Sequence, residues 1–334
     1  MIVGRESMRI SVVIPAYNRA ELLPATLQSV LAQSLPPDEI IVVDDGSLDD
    51  TPAVLRSYAP RVQNLRIANS GDLAARNAGV RAASGELVAF CDSDDLWRPG
   101  YVAAMAELWR AEPSTRCAYA DFVTFTDASW SSTSKFAAAP AAFWRGLREG
   151  SGRCAWFDEP IVERLIGFQP FFPSCMVVQR TFFVSVGGWD EAVSRIVGTD
   201  FATALRMAEH PPLGVLRGPP LVGIRKHQGG FSADVLAMNL GDARVLEHVL
   251  GRPSLAPYAD LVRESIHERR AGALETAFAR GDFDTVREIA TLLPPDRRSL
   301  RTRVKAWVAR QPSAVRSAMA RRLLSLGSAA ARLR

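Results

Sequence analysis

Apolar residues follow two rhythms along this chain. Short β-branched runs alternate with segments in which apolar positions recur every three or four residues. Arg9–Pro15 reads as a buried strand closed by Pro15, because proline cannot extend a central ladder. Glu21–Gln33 places Leu23, Leu27, Val30 and Leu31 on one face and reads as a helix. Ile40–Val43 is a second strand running into Asp44, Asp45, Gly46 and Ser47, and Asp49–Tyr58 is the next helix. Leu65–Ile67 is a third, short strand, Leu73–Ala83 a helix carrying Arg76, and Glu86–Cys91 a fourth strand that stops at Asp92, Ser93, Asp94 and Asp95. Strand and helix in alternation predict an α/β fold with a parallel sheet. The carboxyl ends of its strands, at Tyr17 and Asn18, Asp44 and Asp45, and Asp92 to Asp95, would then face one crevice, where ligands of such sheets bind.

Beyond this point the pattern loosens. Arg98–Ala111 is expected to be helical, with Pro99 in its first turn. Residues 127–160 are rich in Ser, Ala and aromatics without a period and predict an insertion with short helices. A strand over Ser174–Val178, a helix from Thr181, a turn at Gly187–Asp190, a helix over Asp200–Ala208 and a strand pair between Gly214 and Lys226 follow. From Ala233 the pattern is helical, broken and recapped at Gly281–Asp284. The predicted organisation is a domain over 1–232, divided into halves 8–100 and 101–232, and a helical extension over 233–334.

The chain has 334 residues, 48% of them hydrophobic, enough for one sizeable core and an appendage. No uninterrupted apolar stretch is long enough to span a membrane, and Met1–Ser7 lacks the apolar segment of a signal peptide, so a cytoplasmic location is expected. Cys91, Cys117, Cys154 and Cys175 form no Cys-x-x-Cys pair and read as reduced, buried thiols. The net charge of +4 is +11 from Arg297 onward and −7 before it. That asymmetry argues against a nucleic-acid groove on the main domain. The tail has an apolar stripe (Leu300, Val304, Trp307, Val308) opposite Arg301, Arg303, Lys305 and Arg310, a design repeated at Val315, Met319 and Leu323. Two readings stay open: helices packed on the main domain, or residues 297–334 attached to an anionic membrane surface, which would make the protein peripheral at the inner face of the cell membrane.

Neither a Gly-x-Gly-x-x-Gly after a strand, nor a P-loop, nor a Gly-x-Ser-x-Gly elbow, nor a His-Glu-x-x-His motif occurs. What remains is a crevice lined by Asp45, Asp92 and Asp94, with Asp200 and His227 far along the chain. Clustered carboxylates tolerate one another when a divalent cation or a ligand's donors share the site. A nucleoside diphosphate suits that chemistry: one carboxylate accepts a base N–H, another a ribose hydroxyl, and a third holds Mg²⁺ or Mn²⁺ against the phosphates.

Val12–Asn18, Val43–Ser47, Asn69–Gly79 with Ala75-Arg76-Asn77-Ala78-Gly79, Asp92–Asp95, Gly187–Glu191 and Thr199-Asp200, in this order, closely resemble glycosyltransferase family 2. The resemblance spans residues 9–231. It implies an α/β GT-A fold, a Rossmann-like mixed sheet flanked by helices, and inverting, metal-dependent transfer of a sugar from a nucleotide sugar, a UDP-sugar in the first instance, to a glycan or lipid-linked acceptor. It further implies that Pro15, Ala16, Tyr17 and Asp45 bind the base, Arg76 and Ser93 contact the nucleotide, and Asp92 faces the ribose or a metal-bound water. Asp94 would ligate Mn²⁺ or Mg²⁺, His227 would lie near the metal and diphosphate, and Asp200 would take the acceptor hydroxyl's proton. Thr199 departs from the Glu that many relatives carry before that base.

Plainer readings stand beside these. Asp92–Asp95 and Asp44–Ser47 also suit turns, Asp95 suits the cap of the helix at Arg98, and Asp200 suits a helix N-cap. Arg76 reads equally as a solvated helix charge and His227 as a loop residue. A catalytically silent nucleotide-sugar-binding scaffold and a sugar nucleotidyltransferase are the alternative functions, and the second lacks a Gly-rich basic loop for a triphosphate.

Overall fold

The computed structural model describes residues 8–126, 129–226 and 234–331. They divide into two compact units, one of residues 8–195 with 199–226, the other of residues 196–198 with 234–331.

The first unit contains twelve strands and seven helices: β1 (Ile10–Ala16), α1 (Leu23–Leu31), β2 (Glu39–Asp44), α2 (Thr51–Ser57), β3 (Gln63–Arg66), α3 (Asp72–Ala82), β4 (Leu87–Phe90), β5 (Leu96–Trp97), α4 (Tyr101–Ala111), β6 (Cys117–Ala120), β7 (Phe122–Phe125), β8 (Leu147–Glu149), β9 (Cys154–Phe157), α5 (Val162–Gly167), β10 (Met176–Gln179), α6 (Arg180–Ser185), α7 (Asp200–Ala208), β11 (Leu213–Leu216) and β12 (Val222–Arg225). Nine strands form one sheet in the order β3-β2-β1-β4-β10-β6-β11-β9-β8, and β5-β12-β7 form a second. Strands β3, β2, β1 and β4 are mutually parallel, whereas β10 runs antiparallel to both β4 and β6. The sheet is therefore mixed, and β1, β2 and β4 deliver their carboxyl ends to one edge. Their continuous apolar runs follow from burial on both faces: Val12, Val13, Val42, Val43 and Val88 are fully enclosed.

Several expected boundaries shift. Pro15 does not close β1: it lies inside the strand, in register with Val43 of β2. On the other side β4 already ends at Phe90 opposite Val13, and the last bond there runs from the Cys91 N–H to the Val13 carbonyl (3.1 Å). Proline thus occupies the position whose N–H has no ladder partner to serve. Helix α4 starts at Tyr101 after Gly100, not at Arg98. Residues 96–98 are drawn into strand pairing instead, with the Arg98 N–H on the Leu221 carbonyl (2.8 Å). The insertion expected over 127–160 contains two strands, β8 and β9, that extend the large sheet. The strand pair expected between Gly214 and Lys226 is split, β11 pairing in the large sheet and β12 in the small one.

The second unit carries α8 (Val235–Val249), α9 (Ala259–Arg280), α10 (Phe283–Leu292), α11 (Leu300–Ala309) and α12 (Ser313–Ala331) around a core that includes Leu274, Phe278, Val286, Ile289 and Val308. Gly281 ends α9 in the left-handed conformation (φ 75°), and the Asp282 carboxylate caps α10 on the Thr285 N–H (3.1 Å), the break expected at this point. The tail's cations are not all unopposed: Arg297 pairs with Glu264 (2.6 Å), and Arg301 and Lys305 pair with Glu275. Among the described residues no helix is long and apolar enough to cross a membrane.

Candidate active site

The loops after β1 and β2 are latched together. Asn18, at φ 51°, donates its N–H to the Ser47 hydroxyl (3.0 Å) and accepts from the Leu48 N–H (2.8 Å). Asp44 is structural, accepting the Ser47 N–H (2.8 Å) and pairing with Arg66. Asp45 is buried, and its two oxygens accept the N–H groups of Ser70 and Gly71 (2.7 and 2.9 Å). Each oxygen keeps a second lone pair for a ligand donor. Pro15 and Ala16 are buried at the end of β1, and Tyr17, 41% exposed, follows them at the rim.

Helix α3 brings a buried cation to this edge. Arg76 is 4% exposed and pairs with Asp72 and with Asp92 (Nη2 to Oδ1, 2.6 Å), so it is no solvated helix charge. Burial opposes its charge, but Asp92 and Asp72 outweigh burial and hold the guanidinium protonated. Its flat group also lies over the Trp189 ring (5.1 Å). Two close contacts fix α3 here. A Cβ on Gly79 would fall 2.3 Å from Val13 Cγ1, so glycine lets the helix rest on β1. Asn77 donates to the Trp189 carbonyl (2.9 Å) and to Glu191 (2.7 Å) and accepts the Trp189 N–H (2.9 Å). Trp189 in turn packs edge-on against Phe90 of β4 (5.0 Å).

The acidic cluster after β4 has three different environments. Desolvation pushes the Asp92 carboxyl above its usual range, Arg76 pulls it back and Asp94 adds to the rise. Asp95 is buried and is not a helix cap: it accepts the Arg225 N–H (2.9 Å) and the Ser174 hydroxyl, and burial, reinforced by Asp94 and Asp92, pushes it well up. Ser93 is buried between them. Asp94 is partly exposed, and its carbonyl accepts Arg225 Nε (3.0 Å). The Arg225 guanidinium lies over Phe125 (4.6 Å), Phe125 stacks on Trp130 (4.8 Å, 16°), and Arg98 lies over Trp130 (5.0 Å). This stack runs from Arg225, which holds the Asp94 carbonyl, to Arg98, three residues after Asp95. Glycine at 223 admits it, since a Cβ there would meet the indole at 2.5 Å.

Asp200 is the first residue of α7, with Thr199 at the N-cap position, so it is not itself the cap. Arg206 of α7 donates to the carbonyls of Val186 and Gly188 (3.0 and 2.9 Å), which ties the helix to the Gly187–Asp190 turn. Burial above all, with smaller contributions from Cys117 and Asp200, pushes the Tyr119 phenol well up. The Asp200 carboxylate is thus within electrostatic reach of β6. His227 lies outside the described residues.

Among the described residues no three His, Cys, Asp or Glu side chains are grouped to enclose a metal. The oxygen donors fit a different arrangement, in which Mg²⁺ or Mn²⁺ takes one or two carboxylates and completes its shell with substrate phosphates and water. Burial, reinforced by the neighbouring carboxylates, pushes the Cys91 and Cys175 thiols well up, so neither supplies a thiolate nucleophile. Sequence reasoning overlooked Arg225, Ser174 and Trp130. Arg225 reaches the acids from β12 and Ser174 from the turn before β10, while Trp130, from the irregular segment, stacks between Phe125 and Arg98, and nothing in their local spacing announces these contacts. Asn77 stood inside a quoted motif without a role.

The profile of Glycosyl transferase family 2 matches residues 11–165. An uncharacterised glycosyltransferase of Nostoc is 43% identical over 107 residues, 31% of this chain and 33% of that protein. A putative teichuronic acid biosynthesis glycosyltransferase of Bacillus subtilis is 41% identical over 93 residues, 27% and 37% of the two. These matches span about a third of the relatives' length. A crystal structure of S. aureus TarS residues 1–349 in complex with UDP-GlcNAc superposes with a TM-score of 0.60 over 89% of this chain and 88% of that one at 16% identity, which establishes the GT-A fold. Residues 11–165, just under half of the chain and with every quoted motif up to Asp95 inside them, are thus similar to glycosyl transferase family 2.

Proposed function

We propose that this protein is an inverting, metal-dependent glycosyltransferase that moves a sugar from a UDP-sugar to a glycan or lipid-linked acceptor in surface polysaccharide synthesis. The observation that carries this reading is the edge formed by β1, β2 and β4, where Asp92, tethered to buried Arg76, stands beside Asp94, with β1 between them and Asp45 on β2's end. Asp45 accepts the N–H of the base, with Pro15, Ala16 and Tyr17 around it and Ser93 nearby. Asp92, oriented by Arg76, takes the ribose side. Asp94, with His227, would hold Mn²⁺ or Mg²⁺, which neutralises charge on the departing diphosphate. Asp200 takes the acceptor hydroxyl's proton as oxygen attacks the anomeric carbon, in a single displacement without a covalent enzyme intermediate. The fold shared with a UDP-GlcNAc complex supports the donor class, and the relative named for teichuronic acid biosynthesis supports the product class. The same reading has the protein work in the cytoplasm at an anionic membrane face, through the basic residues from 297 onward.

Calorimetry with UDP, with and without Mn²⁺, tests the donor site, and UDP release from UDP-sugars in the presence of glycan or lipid-linked acceptors tests transfer. Cation-dependent UDP binding and release are expected. Equal UDP binding after chelation removes the metal from the reading, and binding without release under every condition leaves a silent scaffold.

A further inference from the structure

Helix α11 is two-faced in an unexpected way. The apolar stripe visible in the sequence is divided, since Val308 enters the core of the second unit while Leu300 and Trp307 stay 79% and 54% exposed. The inward face consists of Thr302, Lys305, Ala306, Val308 and Ala309, and the Lys305 amine meets Glu275 above the Phe278 ring (5.1 Å). The outward face carries Leu300, Arg303, Trp307 and Arg310, whose spacing of three, four and three residues aligns them on one stripe. Among the described residues Arg303 donates only to the carbonyls of Arg298 and Pro295 (3.0 and 3.1 Å). Among the described residues no carboxylate pairs with Arg303 or Arg310, while Glu264 and Glu275 are taken by Arg297, Arg301 and Lys305.

An indole between two guanidinia and an isobutyl group at the end of the stripe, all held in water, cost solvation in the free protein. They match the boundary between lipid headgroups and acyl chains, where indoles settle and Arg stems reach phosphate. The charge of the surrounding sequence, +11 from Arg297 onward without one acid, selects an anionic surface.

We propose that the Leu300–Arg303–Trp307–Arg310 face of α11 is the surface by which this protein docks on an anionic lipid bilayer. The assignment rests on the proposed membrane partner and is independent of sugar transfer. Leu300 and Trp307 enter the headgroup layer, and Arg303 and Arg310 contact lipid phosphates.

The test is cosedimentation of the full chain with vesicles of phosphatidylcholine alone or mixed with phosphatidylglycerol. The native chain should bind only the mixed vesicles, and Trp307→Ser and the double variant Arg303→Gln/Arg310→Gln should each lower partitioning at least about tenfold. Both changes lie on the wet face, so thermal unfolding should be unchanged. The pair Arg321→Gln/Arg322→Gln, on α12, should bind nearly as the native chain does. If the α11 variants bind like the native chain while the α12 pair loses binding, the membrane partner stands and this face is wrong. If the native chain ignores both vesicle types, face and partner fall together, whatever UDP release shows. Concentration-dependent self-association abolished by Trp307→Ser, without vesicle binding, would instead make the stripe a contact between copies.

Discussion

Asn77 and Trp189 grip each other by two reciprocal hydrogen bonds, side-chain amide to backbone carbonyl and backbone N–H to side-chain oxygen, each 2.9 Å long. A residue on α3 thereby sets the turn that places Trp189 under Arg76 and against Phe90. Asn77→Ala leaves the Trp189 N–H and carbonyl without these partners and should destabilise the protein by about 1–3 kcal/mol. Asn77→Asp should retain part of that loss, since it keeps the acceptor and replaces the donor. Urea midpoints of the three proteins measure this, and equal midpoints would remove the latch.

Asp200→Asn keeps size and helix position but cannot accept a proton. Transfer should fall by about 10²–10⁴ in kcat while UDP affinity stays within error. Native turnover in this variant would dismiss Asp200 as the base.

Arg225 holds the acidic loop twice, by its N–H to Asp95 and by its side chain to the Asp94 carbonyl. Arg225→Met keeps the backbone bond and some of the packing on Phe125 but removes the grip on Asp94. The apparent KM for Mn²⁺ should rise more than the KM for the UDP-sugar, whereas Asp94→Ala should abolish metal-dependent UDP binding and nearly all transfer. A KM for Mn²⁺ unchanged by Arg225→Met would separate Arg225 from the metal.

Glu39 ties three elements of the sheet's amino-terminal edge, accepting from the Ser11 hydroxyl, the Ser84 N–H and the Gly85 N–H. Burial works against its charge, but these bonds outweigh burial and hold the carboxyl below the usual glutamate range. A group lowered in the folded state favours folding above its unfolded value and loses that advantage as pH falls through the folded value. Native protein should therefore exceed Glu39→Gln in stability by about 1–3 kcal/mol at neutral pH, with the gap closing below the ordinary glutamate range. Urea titrations across acidic pH check it, and a gap that does not depend on pH contradicts it.

Gly79→Ala is a test of fit alone. With 2.3 Å between the added carbon and Val13 Cγ1, α3 must lift from β1, at a cost of about 1–3 kcal/mol. A Tm equal to the native one would show that the helix yields freely.

The strands nearest the amino terminus were legible because continuous β-branched runs end abruptly in acids or turns, as at Val43-Asp44 and Phe90-Cys91-Asp92. Helix α1 was legible from its apolar spacing and α10 from the break and recap at Gly281–Asp284. Strands β6 and β7 were not, because Cys117–Ala120 and Phe122–Phe125 are four residues each and are separated by Asp121 alone, too little for any period to show. The residue types of the site were legible too, but their division of labour was not. Whether Asp95 is a cap or a buried strut depends on Ser174 and Arg225, residues far away in sequence that only the folded sheet supplies. The exposed stripe of α11 was hidden for a similar reason, since periodicity shows which residues are apolar and only packing shows which of them found a core.

Pro15 lies inside β1 rather than ending it, and it has a further effect there. In a parallel ladder the bond after the one from Cys91 to the Val13 carbonyl would be given by residue 15, and proline has no hydrogen to give. Beyond that bond β1 offers β4 no main-chain donor at residue 15, and β4 itself ends at Phe90. At the crevice that Asp45, Asp92 and Asp94 border, the seam thus lacks the one main-chain hydrogen that could have extended it from β1.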